Sequence, residues 1–214
     1  MPVDAPLYPV NLVLRGRRCL VVGGGRVAAQ KVAGLLECEA AVTVISPELD
    51  PALADRAQDG SITWDPRPYR AGDVQGYHLV VTATADPEVN RAVSADAQAT
   101  GIWVNSADDP ANCTFTLPAR VRQGPLLVTF ATGGHSPAVA TWLRRRFTEE
   151  LGPEYVTLID LLATERARIQ AEGRSTEGLS WQEALDSGML DLIREGHLAE
   201  AKERLQACLS SSSD

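Results

Sequence analysis

Short apolar runs alternate with stretches in which apolar residues recur every three or four positions, and this alternation governs the first half of the chain. The runs Cys19–Val22, Ala41–Ser46, Ser61–Trp64, His78–Thr84 and Ile102–Asn105 predict strands. Between them, Val27–Cys38, Pro51–Gln58 and Pro87–Thr100 carry helical spacing, and Pro47, Pro51, Pro66, Pro68 and Pro87 punctuate the boundaries. Strands and helices in this order predict a parallel, doubly wound sheet, an α/β fold of Rossmann-like type.

After Asp109 the period changes. Thr114–Val121 and Pro125–Thr132 flank Arg122–Gly124 and predict an antiparallel hairpin. Ser136 is a suitable N-cap and Pro137 a suitable first residue for a further helix, which Gly152 and Pro153 close. From Tyr155 onward the spacing is helical throughout, with a connection at Arg174–Ser180 and a frayed end. The expected organisation is an α/β domain over 1–113, a hairpin-plus-helix segment over 114–152 and a small helical domain over 153–214. There is no internal repeat.

Composition narrows the classes. At 214 residues and 44% hydrophobic the chain can bury a full core. No run of about 18 apolar residues occurs, and Met1–Leu7 lacks the basic-then-apolar pattern of a leader, so a cytoplasmic location is expected. Cys19, Cys38, Cys113 and Cys208 show no C-x-x-C spacing and read as reduced, small buried side chains. The three histidines, His78, His135 and His197, have no metal-ligand spacing, so no resident metal is expected. A net charge of -8 argues against nucleic acid as a partner. Residues 1–150 carry -2 of it and 151–214 carry -6, so an anionic ligand is expected on the first part.

The strongest chemical signal is CLVVGGGRVAAQKVAGLL, where Gly23, Gly25 and Ala28 fill the small-residue positions of G-x-G-x-x-G/A between a strand and a helix. Gly23 allows the tight turn, Gly25 lets the backbone approach a pyrophosphate, and Ala28 lets the helix lie close to the sheet. In such folds ligands gather beyond the carboxyl ends of the strands, which directs attention to Gly23–Val27, Ser46–Glu48, Thr82–Asp86 and Asn105–Asp109. The second strand ends in Ser46-Pro47 rather than in the usual acidic ribose partner, with Glu48 two residues later, and this leaves NAD and NADP both open. Arg26 reads either as a phosphate contact or as a solvated first-turn arginine.

Asp108 and Asp109, in VNSADDPANC, follow the last parallel strand at the presumed nicotinamide end. A carboxylate there can remove a proton as hydride leaves; it can equally form an Asx-turn before Pro110. The Gly133–Pro137 turn, with Gly134, His135 and Ser136, presents N–H groups and a hydroxyl at a helix start, suited to a carboxylate or to simple capping. Arg120, Arg122, Arg144, Arg145 and Arg146 flank it and would suit a polycarboxylate or a solvated face.

In order and spacing, YPVNLVLRGRRCLVVGGGRVAAQKVAGLL, VTVISPEL, HLVVTATADPEVNRAV, WVNSADDPANCTFTLPARV and PLLVTFATGGHSPAVATWLRRRFTEEL resemble the precorrin-2 dehydrogenases of sirohaem synthesis over most of the chain. The resemblance implies NAD-dependent oxidation of precorrin-2 to sirohydrochlorin by loss of hydride and protons. It implies Asp108 as the base, Gly23, Gly25, Arg26, Val27, Ser46, Pro47 and Thr84 as cofactor contacts, and NAD despite the missing acidic partner. It further implies a homodimer formed through about Thr114–Gly152 and a tetrapyrrole held near the arginines. Some relatives also insert Fe²⁺ into the product, with Co²⁺ a further candidate substrate. Glu39-Ala40 stands where relatives often have Gly-Ala. The competing class is a non-catalytic NAD-binding regulatory module, which needs neither VNSADDP nor GGHSP.

Overall fold

The computed structural model describes residues 6–107 and 109–210. The chain divides into two compact units, one running to Leu117 and including Ala131–Pro137, the other formed by Pro118–Phe130 and the chain from Ala138 onward.

The first unit is built on five parallel strands, β1 (Arg18–Val22), β2 (Ala41–Ile45), β3 (Thr63–Asp65), β4 (Leu79–Thr82) and β5 (Trp103–Ser106), in the order β3-β2-β1-β4-β5. Helices α1 (Arg26–Leu36), α2 (Pro51–Gln58) and α3 (Pro87–Ala99) connect them. Successive strand residues point to opposite faces, and both faces of the central strands are buried, so β1 and β4 are nearly continuous apolar runs, whereas the edge strand β3 (TWD) is mostly exposed. Cys19 and Val21 pack with Ala28, Val32 and Leu35 of α1 and Leu53 of α2. Leu20 and Val22 pack on the other face with Val93 and Ala97 of α3 and with Val74.

The β3–β4 crossover contains no helix. Its loop is held by Arg67, which bonds Asp65 and Asp73, and by Asp96 of α3, which accepts from Tyr69 Oη and from Gly72 N. The Arg67 guanidinium holds the Asp73 carboxyl below its ordinary range, and the hydrogen bond from Tyr69 does the same for Asp96. Burial, and then the Asp96 hydrogen bond, raise the Tyr69 phenol.

The second unit contains the hairpin β6 (Ala119–Gln123) and β7 (Leu126–Phe130) and helices α4 (Pro137–Glu150), α5 (Glu154–Ala171), α6 (Trp181–Asp186), α7 (Met189–Arg194) and α8 (Leu198–Ser210), α4 starting at the unit boundary. Its core joins Leu158, Ile169, Ala184, Met189, Leu205 and Leu209. Buried Glu165 is paired with Arg168 and accepts from Gln206. The first hairpin strand starts five residues later than the hydrophobic pattern suggests, at Ala119 rather than Thr114. Thr114 bonds Val104 of β5 instead, and Pro118 has no N–H to give to a ladder.

Candidate functional site

The site is built where β1 turns into α1. Gly23 has φ +120, and a Cβ there would lie 2.5 Å from the Ala83 carbonyl oxygen. Gly24 is constrained differently: a Cβ would overlap the Glu48 carbonyl oxygen and come within 2.6 Å of Ser46 Oγ. Its own carbonyl accepts Asp50 N at 2.6 Å. The loop after β2 therefore lies directly across Gly24, a position the fingerprint treats as unrestricted.

Gly25 is the N-cap of α1, in extended conformation, with no side-chain cap and nothing within 4 Å of where its Cβ would stand. The first-turn N–H groups of α1 have no side-chain cap at Gly25 and lie at the positive end of the helix dipole, beside an uncrowded Gly25 position. Arg26 and Val27 are exposed in that turn. An anion such as a pyrophosphate fits this cradle, because both the donors and the room for close approach are present.

Val22 pairs with Ile45 on one side and Thr82 on the other, so the ends of β1, β2 and β4 meet at one edge. That register brings Gly23 against Ala83 and Thr84 and brings Gly24 against Ser46 and Glu48. Ser46 is buried, Pro47 and Glu48 are exposed, and Trp64 of β3 fixes this loop by donating Nε1–H to the Ser46 carbonyl at 2.9 Å. Thr84 is held by Asn90 of α3, which sequence reasoning overlooked because its partners lie on another element.

At the end of β5, Asn105 and Ser106 are buried. Asp108, the expected base, lies outside the described residues. Its neighbours are fixed: Ala107 N donates to Thr82 O at 2.8 Å, and Asp109 Oδ2 accepts from Asn112 Nδ2 at 2.6 Å. Cys113 closes the loop. Its Sγ accepts from Ser106 N at 3.2 Å and donates toward the carbonyls of Ser106 and Asp109, each at 3.3 Å. Burial raises this thiol above its ordinary range, which keeps its proton in place. The thiol is therefore a polar brace as well as a small buried group.

Gly134, His135 and Ser136 form a turn on Thr132, whose carbonyl accepts His135 N and whose Oγ1 accepts Ser136 N. His135 is exposed. Arg120 on β6 and Arg144 on α4 belong to the second unit, exposed on their elements, so the structure groups the cofactor-directed residues together and carries these two arginines on a separate body. A groove of about 700 Å³ lined by Tyr69, Ala71, Val89, Ala92, Asp96 and Ala99 runs along α3. It includes none of the glycine-turn residues; of its two carboxylates, Asp96 is engaged by Tyr69 and Gly72 and Glu88 by Arg91.

A strand-order 3-2-1-4-5 parallel sheet with an uncapped, uncrowded helix start at its first turn defines a dinucleotide-binding protein. Residues 10–119 match the family described as "Putative NAD(P)-binding", and the chain belongs to that family. Over more than nine-tenths of its length it is similar to siroheme synthases. It is 37% identical over 204 residues to that of Methylobacillus flagellatus, covering 94% of this chain and 44% of the relative. With that of Chromobacterium violaceum it shares 36% over 201 residues, covering 93% and 43%. The chain thus spans less than half the length of these relatives. Among solved structures, SirC, a precorrin-2 dehydrogenase, matches with a TM-score of 0.74 at 26% identity, covering 94% of this chain and 98% of that one. Among the described residues, no helix is long and apolar enough to cross a membrane.

Proposed function

We propose that this chain is an NAD-dependent precorrin-2 dehydrogenase that forms sirohydrochlorin in siroheme synthesis. The observation that carries this reading is the likeness to SirC over nearly the full length of both chains. The bound dinucleotide supplies the hydride acceptor. The chain's own part begins with the α1 N-terminus, which holds the pyrophosphate between the Ser46–Glu48 loop and Thr84. NAD is preferred to NADP in this reading because Ser46–Asp50, the segment after β2, holds no lysine or arginine to meet a 2′-phosphate.

Asp108 acts as the base that takes the proton as hydride departs. Its flanks are anchored to β4 through Ala107 and to the Cys113 brace through Ser106 and Asp109. The carboxylates of the tetrapyrrole are assigned to Gly134, His135 and Ser136 and to Arg120 and Arg144 of a homodimer formed through residues 114–152, acting in the cytoplasm.

The test is anaerobic turnover of precorrin-2 with NAD and, separately, NADP. Asp108→Ala should lose at least ~100-fold in kcat while still binding NAD. Wild-type turnover by that variant would refute the base assignment. Absence of turnover by the wild-type protein, with NAD still bound, would leave the non-catalytic NAD-binding module as the reading.

A further inference from the structure

We propose that Asn90 is a positioning residue for the dinucleotide, its carboxamide setting the Thr82–Thr84 segment against which the glycine turn packs. The inference deepens the reading of the glycine turn as the cofactor site and rests on it.

Asn90 sits in the first turns of α3, 9% exposed. Its Oδ1 accepts three donors: Thr82 Oγ1, Thr84 N at 3.2 Å and Thr84 Oγ1 at 2.9 Å. Its Nδ2 donates to the Thr84 carbonyl at 3.0 Å. The backbone N–H and C=O of Thr84 are thus both bound by one side chain, which shares the Thr84 hydroxyl with Asp86, at a point where β4 has ended and no strand partner remains. Only a side chain that both accepts and donates within one planar group satisfies this set. Aspartate keeps the acceptor and loses the donor, while serine has too short a reach.

That segment matters because it is in contact with the glycine turn. A Cβ on Gly23 would lie 2.5 Å from Ala83 O and 3.1 Å from Thr84 N, so there is no slack between the two. If Asn90 is lost, the Thr84 backbone loses both its partners and keeps only the hydroxyl bonds to Asp86, so the segment that seats the glycine turn is no longer fixed. Asparagine is also a poor residue for a helix interior, which it occupies here with its polar atoms engaged.

NADH fluorescence titration and thermal melts of the full chain test the inference. Asn90→Ala, which removes all four of these hydrogen bonds, should raise the Kd for NADH about tenfold, with kcat at saturating NAD within twofold of wild type. Val93→Ala, one turn along α3 and fully buried in the core, should lower Tm by several degrees and leave Kd within twofold. Should the alanine variant not fold, Asn90→Asp retains the acceptor contacts and should still weaken NADH at least ~3-fold through the lost donor. Wild-type Kd in the folded Asn90 variant would overturn the inference, as would equal Kd changes in Asn90→Ala and Val93→Ala. If the wild-type protein does not bind NADH, the underlying reading of the glycine turn as the cofactor site fails instead.

Discussion

Adjacent glycines at the start of α1 should respond to alanine in opposite ways. At Gly24 the added methyl overlaps the Glu48 carbonyl oxygen and crowds Ser46 Oγ. The Ser46–Asp50 loop must move, giving up the Asp50 N to Gly24 O bond and straining the Trp64 Nε1 to Ser46 O bond. Two hydrogen bonds at ~1 kcal/mol each and overpacking of ~1–3 kcal/mol give about 4 kcal/mol. For a chain of this length that lowers Tm by roughly 10 °C.

At Gly25 the backbone is extended and the methyl meets nothing. The loss of a good N-cap and the gain from a stiffer unfolded chain nearly offset each other, so the free protein should melt within about 1 kcal/mol of wild type. The methyl occupies the approach path of the pyrophosphate, however. Losing two charge-assisted hydrogen bonds there costs about 3 kcal/mol or more, a Kd increase of at least ~100-fold. Differential scanning fluorimetry and NADH titration on both variants separate the effects. A Gly24→Ala protein that melts within 2 °C of wild type would refute the loop placement, on the ~2–4 °C per kcal/mol scale. A Gly25→Ala protein that binds NADH normally would refute the cradle.

Glu39 is the one non-glycine residue with positive φ among those described, at +57, closing α1 with Ala40 N on Leu35 O and its own N on Leu36 O. Glu39→Gly should raise stability by about 1 kcal/mol in urea melts, since the left-handed strain exceeds the worth of an exposed ion pair with Arg15. Asp73 has its folded pKa lowered, chiefly by the Arg67 hydrogen bond. Its contribution is therefore complete above the ordinary carboxylate range and disappears as pH falls through the folded value. Asp73→Asn should cost ~2 kcal/mol near pH 7, and urea melts should show the gap to wild type closing toward pH 3. Cys113→Ala releases Ser106 and Asp109 and should reduce kcat about tenfold with NAD affinity unchanged; a change in NAD affinity with normal kcat would place the thiol's influence elsewhere.

The parallel sheet was legible because its central strands are nearly unbroken apolar runs and each helix has its own period, features written locally. Gly23, Gly25 and Ala28 were legible for the same reason, as was the Ser136-Pro137 helix start. Gly24, Asn90 and Cys113 were not. Gly24 is constrained by a loop more than twenty residues away, Asn90 by the end of a strand on a different element, and Cys113 by backbone atoms at the end of β5. Nothing in the residue types signals these meetings, and a cysteine without a partner reads as a hydrophobe. The missing crossover helix between β3 and β4 is a related case: Arg67, Asp73, Tyr69 and Asp96 replace it with polar struts that have no periodicity.

The outer edge of β5 has one more consequence. Val104 and Ser106 turn their N–H and C=O groups away from β4, and these are taken up by Thr114 and by the Cys113 thiol. Side-chain atoms thus occupy the place where a sixth strand would pair. The sheet cannot grow in that direction, whether by its own chain or by another molecule. Thr114 and Cys113 therefore close that edge, leaving Val104 and Ser106 no free N–H or C=O on which a further strand could pair.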